Sequence, residues 1–174
     1  GLGNYRDVLF DGATWHNVYV SAVYTIGSIA PAFVIGLGTA LLLNRVFPLR
    51  RWLRSLMLLP WAVPGVMVSI MFLWMFDASF GVVNYALRTL GLVTTDIAWY
   101  TTESTALFAV IVPTIWKSYP FFTLTLLAAM QSIPVNLYEA AKVDGAGAWA
   151  RFWQITWPGI RGPATLALVL NGLW

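Results

Sequence analysis

At 174 residues, with 59% hydrophobic and only 10% charged side chains, the chain has too little charge to coat a soluble domain, in which roughly a quarter of residues are charged. A mean hydropathy of +0.73 is more apolar character than one water-soluble core absorbs, so lipid is the solvent that fits. The absence of cysteine and the single histidine, His16, exclude a disulfide framework, a thiolate metal site and most general-base schemes; the net charge of +3 calls for no nucleic acid, because in a membrane protein the placement of basic residues outweighs their sum.

The chain opens at Gly1 without a methionine and closes at Trp174 inside an apolar run, so it is expected to be a fragment. Residues 17–43 contain no charge and exceed the roughly 20 residues that cross a bilayer. Within this first span Ser28, Ala32, Gly36 and Ala40 recur at steps of four, a small-residue stripe that admits a close neighbouring helix. Residues 44–54 follow with Arg45, Arg50, Arg51 and Arg54 and no acid. A second uncharged stretch covers 55–76. The segment 77–104 holds Arg88 against Asp77, Asp96 and Glu103, and its residues 82–90 read as a short helix stopped by Gly91, lying flat at the interface. A third span runs over 105–130, interrupted by Lys117, and a fourth begins at 164 and is truncated at 174.

The positive-inside rule places 44–54 and 131–163 in the cytoplasm, because these segments hold seven of the ten Lys and Arg residues, and places 77–104 outside. The assignments alternate as consecutive spans require. Tyr19, Tyr24, Trp52, Trp61, Trp74, Trp99 and Tyr100 fall near span ends, where aromatic side chains anchor at the interface; Trp61 and Trp74 are the two considered for sugar stacking.

Proline occurs inside every complete span: Pro31, Pro60 with Pro64, and Pro113 with Pro120. Each frees the carbonyl four residues earlier, which lipid cannot satisfy, so these faces are expected to point into a bundle. Lys117 at mid-span costs about 2.5–3.5 kcal/mol on insertion scales. It reads either as a pathway or interface residue, or as a cap for carbonyls freed by the neighbouring prolines. Ser69, Ser118, Tyr119 and Thr123 are the other polar candidates for a translocation path or interface.

The segment 131–163 is too polar to span and too patterned to be a linker. Asn136 followed by Glu139 fits a capping box and starts a helix, Asp144-Gly145 ends it, and residues 148–155 resume a helix that Pro158 closes. Glu139, Ala140, Ala141, Gly145, Ile155 and Pro158 stand at fixed spacing: Glu-Ala-Ala, three residues, Gly, nine residues, Ile, two residues, Pro. This resembles the cytoplasmic loop motif of permease subunits in binding-protein-dependent ABC importers, with Trp157 where that family prefers Leu. Six such matches arise by chance on the order of 10⁻⁷ per start position. Gly3-Asn4-Tyr5, Leu59-Pro60-Trp61-Ala62-Val63-Pro64, Phe80-Gly81 with Asn84, and the run 127–134 are similar to the maltose and glycerol-phosphate type of sugar permease, and to the first of its two permease subunits.

The resemblance implies an all-α polytopic transmembrane bundle, here with three full spans and part of a fourth. It implies a sugar importer in a bacterial or archaeal plasma membrane, with a second permease subunit, a cytoplasmic ABC ATPase dimer that binds ATP and magnesium, and an external solute-binding protein. The Glu139–Pro158 segment would act as a coupling helix seated on the ATPase. Neither Lys117 nor Lys142 follows a glycine, so no GxxxxGK[ST] phosphate loop is present and no cofactor is expected in this chain. A permease for an amino acid or polyamine is the alternative. An intramembrane enzyme is more remote: no span holds an acid, no catalytic residue is assigned, and Lys117 and Ser118 are adjacent on a helix and do not face each other.

Overall fold

The computed structural model describes residues 2–173; Gly1 and Trp174 lie outside them. Among the described residues there is helix and no strand. A short helix α1 (Gly3–Phe10) turns at Asp11, whose carboxylate accepts from the Ala13 amide (3.2 Å) and the Thr14 hydroxyl (3.3 Å) and so starts α2 (Gly12–Asn44). At 33 residues α2 contains the predicted span and extends beyond it, since about 20 residues suffice to cross.

The small-residue stripe does what its spacing predicts. Ser28, Ala32, Gly36 and Ala40 are all buried, and α2 packs along α6 (Glu103–Gln131). At Gly36 a Cβ would collide with the Phe122 Cβ and stand 3.0 Å from the Tyr119 carbonyl oxygen. Hydroxyls fasten the same seam at two levels, Tyr24 to Thr114 at 2.9 Å and Thr39 to Thr123 at 2.5 Å. Phe33 meets Phe122 edge to face beside them. Such hydrogen bonds have no competing water in lipid, yet contribute only about 0.6 kcal/mol each on average, so close packing carries most of the contact.

The expected span over 55–76 is not one straight helix. It is two helices, α3 (Arg50–Ala62) and α4 (Gly65–Met75), bent by 92°. Pro64 is the cause: the residue before a proline is pushed out of the helical region, and Val63 accordingly sits at φ −72°, ψ 130°. Arg50, Arg51 and Arg54 therefore belong to the first turns of α3 rather than to a loop.

On the predicted outer side, α5 (Val82–Thr89) ends at Gly91 with φ +69°, as expected. The Gly91 amide returns to the Arg88 carbonyl and the Leu92 amide to that of Leu87, the two bonds of a Schellman stop. The helix does more than lie flat. Asn84 is buried, donates to the carbonyls of Ala78 (3.2 Å) and Ile97 (3.0 Å), and accepts from the Ile97 amide (3.3 Å) and the Trp99 indole (3.0 Å). Trp99 thus stands in a core with Val68, Phe72, Phe76 and Ala109 and is no interfacial anchor.

On the predicted cytoplasmic side, α7 (Val135–Val143) begins one residue before Asn136, with Pro134 at its N-cap and no side-chain capping bond, so the capping box is not formed. Pro134 is the sufficient reason: its fixed φ of −60° sets the entry angle and it needs no amide partner. Pro158 does not close the following helix either. α8 (Ala148–Arg151), a π-helical segment (Phe152–Thr156) and α9 (Trp157–Gly172) form one continuous rod. In the π turn the Trp157 amide reaches the Phe152 carbonyl, five residues back. That widened turn accommodates a proline whose missing N–H would otherwise break the α ladder.

Candidate functional site

Two places gather the candidate residues: a helical hairpin formed by α7 and the rod that follows it, and a cleft at the break between α3 and α4. In the hairpin, Gly145 holds φ +77°, a region that a side chain with a Cβ strains to enter. Its amide donates to the Lys142 carbonyl (3.1 Å) and the next amide, Ala146, to that of Ala141 (2.8 Å), a complete Schellman stop. The Arg151 guanidinium donates to the Ala146 carbonyl at 2.7 Å and ties the turn to α8. Tyr138 and Thr156 share a hydroxyl bond of 2.9 Å that joins α7 to the π segment. Between α6 and α9, Ile133 packs so near Gly159 that a Cβ there would stand 2.6 Å from its Cδ1.

These links decide the mechanics. The π segment is covalently continuous with α9, and α9 packs on α6, so the Tyr138–Thr156 bond ties α7 to the bundle. Within the motif, Glu139, Ala140, Gly145 and Pro158 are exposed while Ala141 and Ile155 are half-buried. Glu139 makes no side-chain bond among the described residues and is therefore not consumed by capping its own helix. Val135, Leu137 and Val143 are also exposed on α7. Along the second arm Trp149, Phe152, Trp153 and Trp157 contact one another, mostly edge to face, with Trp149 74% exposed. Tyr138 and Thr156 were not singled out from the sequence, although a Tyr and a Thr in the two arms of a helical hairpin are natural partners.

At the broken span, the Lys117 amine donates to the Val63 carbonyl at 2.7 Å. Of the two sequence readings, capping is seen, but the carbonyl belongs to the break before Pro64 on another helix and not to a proline of α6. A hydrogen bond to a charged group contributes about 1.5–3 kcal/mol, close to the insertion cost of the lysine, so the pair is nearly self-compensating. Lys117 also lines an open cleft of about 550 Å³ with Trp61, Ser118, Phe121, Leu170 and Asn171. Asn171, in α9, was missed in the sequence because a polar residue in an apolar run was its only signal.

The other candidates separate. Ser69 faces an apolar groove with Tyr100 and Pro113 and bonds its own helix at Gly65. Tyr119 is half-buried against the α2–α6 core, and Thr123 is fully buried on Thr39. Thr123 is thus a packing residue between helices and is not brought to the cleft. Trp74 is exposed on a separate groove with Met67, Met71 and Phe80.

Replacing Lys117 with Met is expected to raise insertion slightly and to leave the Val63 carbonyl without its donor. The full-length protein should then reach the membrane in normal amount but unfold at lower temperature. Unchanged thermal stability would show that the Lys117–Val63 bond contributes nothing.

The family model for the binding-protein-dependent transport system inner membrane component matches residues 32–174. A trehalose/maltose transport system permease protein, MalF, of Thermococcus litoralis is 38% identical over 171 residues, which cover 98% of this chain and 57% of that protein. A sulfoquinovosyl glycerol transport system permease protein, SmoG, of Agrobacterium fabrum is 37% identical over 171 residues, covering 98% and 55%. Among solved structures, a bacterial ABC transporter involved in the import of the acidic polysaccharide alginate superposes with a TM-score of 0.85 at 26% identity, covering 98% of this chain and 60% of that one. The chain therefore spans little more than half the length of these relatives.

Proposed function

The chain belongs to the family of binding-protein-dependent transport system inner membrane components, and from that premise we propose that it forms part of a permease subunit that carries a sugar or sugar derivative into the cell. The observation that carries the reading is the hairpin: an exposed Glu139-Ala140 face, a glycine-dependent turn and a rod that runs without interruption into α9. Such a part has no purpose in a passive membrane anchor. It fits a lever that receives movement from a cytoplasmic ATPase, which binds ATP and magnesium, and passes it to the spans. A second permease subunit and an external solute-binding protein complete the proposed assembly in a prokaryotic plasma membrane, with 44–54 and 131–163 inside.

The solute class is inferred from the relatives, whose names specify trehalose/maltose and sulfoquinovosyl glycerol. The cleft agrees with it in chemistry. Trp61 offers an aromatic face, on which the C–H face of a sugar ring stacks. Ser118, Asn171 and Lys117 offer hydrogen-bonding groups to its hydroxyls. The complete importer reconstituted in proteoliposomes, presented with a panel of di- and oligosaccharides, amino acids and polyamines, is expected to accumulate a saccharide. Accumulation of an amino acid or polyamine alone would replace the sugar reading and leave the permease reading intact.

A further inference from the structure

The corner between α2 and α3 carries charge that the transport reading does not use. Arg45, Arg50, Arg51 and Arg54 fall within ten residues with no acid among them. The one ion pair among the described residues is elsewhere, Arg88 with Asp96 at 3.3 Å. Leu49, at φ 67°, is the single non-glycine residue in the left-handed region among those described. Side chains held there are strained, and such residues concentrate where a ligand is held. Around it Phe47, Leu49, Arg50, Arg51 and Trp52 line an open cleft of about 440 Å³.

The helix that leaves this cleft has two faces. Leu53 and Met57 pack on the bundle core and Pro60 is buried. Trp52, Leu56 and Leu59, at i, i+4 and i+7, are all more than half exposed and form one stripe along a second side, about 100° around the helix from the first. A cationic cleft therefore opens directly onto an apolar track, with an amphipathic tryptophan at the junction. We propose that this corner docks an anionic phospholipid, its phosphate held by the Arg50 and Arg51 guanidinium groups and an acyl chain laid along Trp52, Leu56 and Leu59. Guanidinium pairs with phosphate oxygens through two parallel N–H bonds, which a zwitterionic headgroup also accepts; the anionic lipid wins because its phosphate charge is not offset by its own cation. Basic clusters beside a membrane span attract anionic lipid in the same sense. An acidic protein or a free phosphate ion would use the arginines and leave the apolar track without a function.

The test uses the full-length permease in its complex, purified in detergent, with phosphatidylglycerol and phosphatidylcholine of identical chains added at equal concentration and retained lipid counted by native mass spectrometry. Phosphatidylglycerol is expected to bind in preference, and R50Q/R51Q to weaken it roughly thirty-fold while R50K/R51K keeps most of the preference. If R50Q/R51Q does not assemble, Arg51→Gln alone, at an exposed position, carries the test with a loss of roughly five-fold. Equal retention of the two lipids, or a preference unchanged in the glutamine variants, overturns the proposal. Displacement of the lipid by millimolar inorganic phosphate would also overturn it, by showing a free-anion site. So would photo-crosslinking of Arg51→Cys to the ATPase subunit and not to lipid.

Discussion

A Gly145→Val variant is expected to insert normally and to lose uptake, because the residue sits at φ +77° with open space around it. No atom would be struck by the new side chain, so the whole effect is backbone conformation. An L-residue pays about 1–2 kcal/mol for that region, and a β-branched one more. The hairpin has little with which to resist. No residue of α7 is buried, and the turn is held by the two Schellman bonds, the Arg151–Ala146 bond and the Tyr138–Thr156 bond. Each contributes about 0.5–1.5 kcal/mol, so the penalty is as large as one or two of them and is enough to misaim α7. Gly145→Asn should retain uptake, since asparagine tolerates the left-handed region. Equal uptake by the Val and Asn variants would remove the turn from the mechanism.

Gly36→Leu is expected to fail earlier, at folding. Its Cβ alone would collide with Phe122 and crowd the Tyr119 carbonyl and the Thr123 amide, at 3.0 and 3.1 Å. Backbone cannot yield as a side-chain tip can, so α2 and α6 must separate and lose the Tyr24–Thr114 and Thr39–Thr123 bonds. Overpacking of this kind costs about 1–3 kcal/mol for the first methyl group and more for a leucine. Thermal unfolding of detergent-purified full-length permease should fall for Gly36→Ala and further for Gly36→Leu. Gly38→Ala, two residues away with nothing within 4 Å of its Cβ, should be no less stable than wild type, since alanine favours a helix interior by about 0.5–1 kcal/mol over glycine. A Gly36→Ala protein as stable as wild type would mean that the helices are not in close contact.

What was legible in the sequence was periodic or local. The stripe Ser28, Ala32, Gly36 and Ala40 has one helical period, and all four residues are buried in the α2–α6 seam. Gly91 and Gly145 announced helix stops because glycine is cheap at positive φ, and both have it. Hydropathy, however, counts apolar residues and does not see direction. It joined α3 to α4 across Val63, although Pro64 held the information that the chain must turn there. Asn136 and Glu139 fitted a capping pattern, but Pro134 supplied a start of its own. Pro158 looked like a stop, and a π turn accommodated it. Asn84 stands at a local spacing from Phe80-Gly81, yet three of its four hydrogen bonds depend on Ile97 and Trp99, which no local pattern brings near. The partner of Lys117 was hidden for the same reason: Val63 is 54 residues away in the chain.

The exposed face of α7 is proposed to meet an ATPase in the cytoplasm. The most direct measurement is photo-crosslinking from Ala140→Cys, an exposed position, in the complete importer embedded in membrane vesicles. A covalent adduct with the ATPase subunit is expected, with a yield that changes when ATP is added. An adduct with lipid alone, or labelling of the same cysteine by an impermeant thiol reagent applied from outside intact cells, would contradict it.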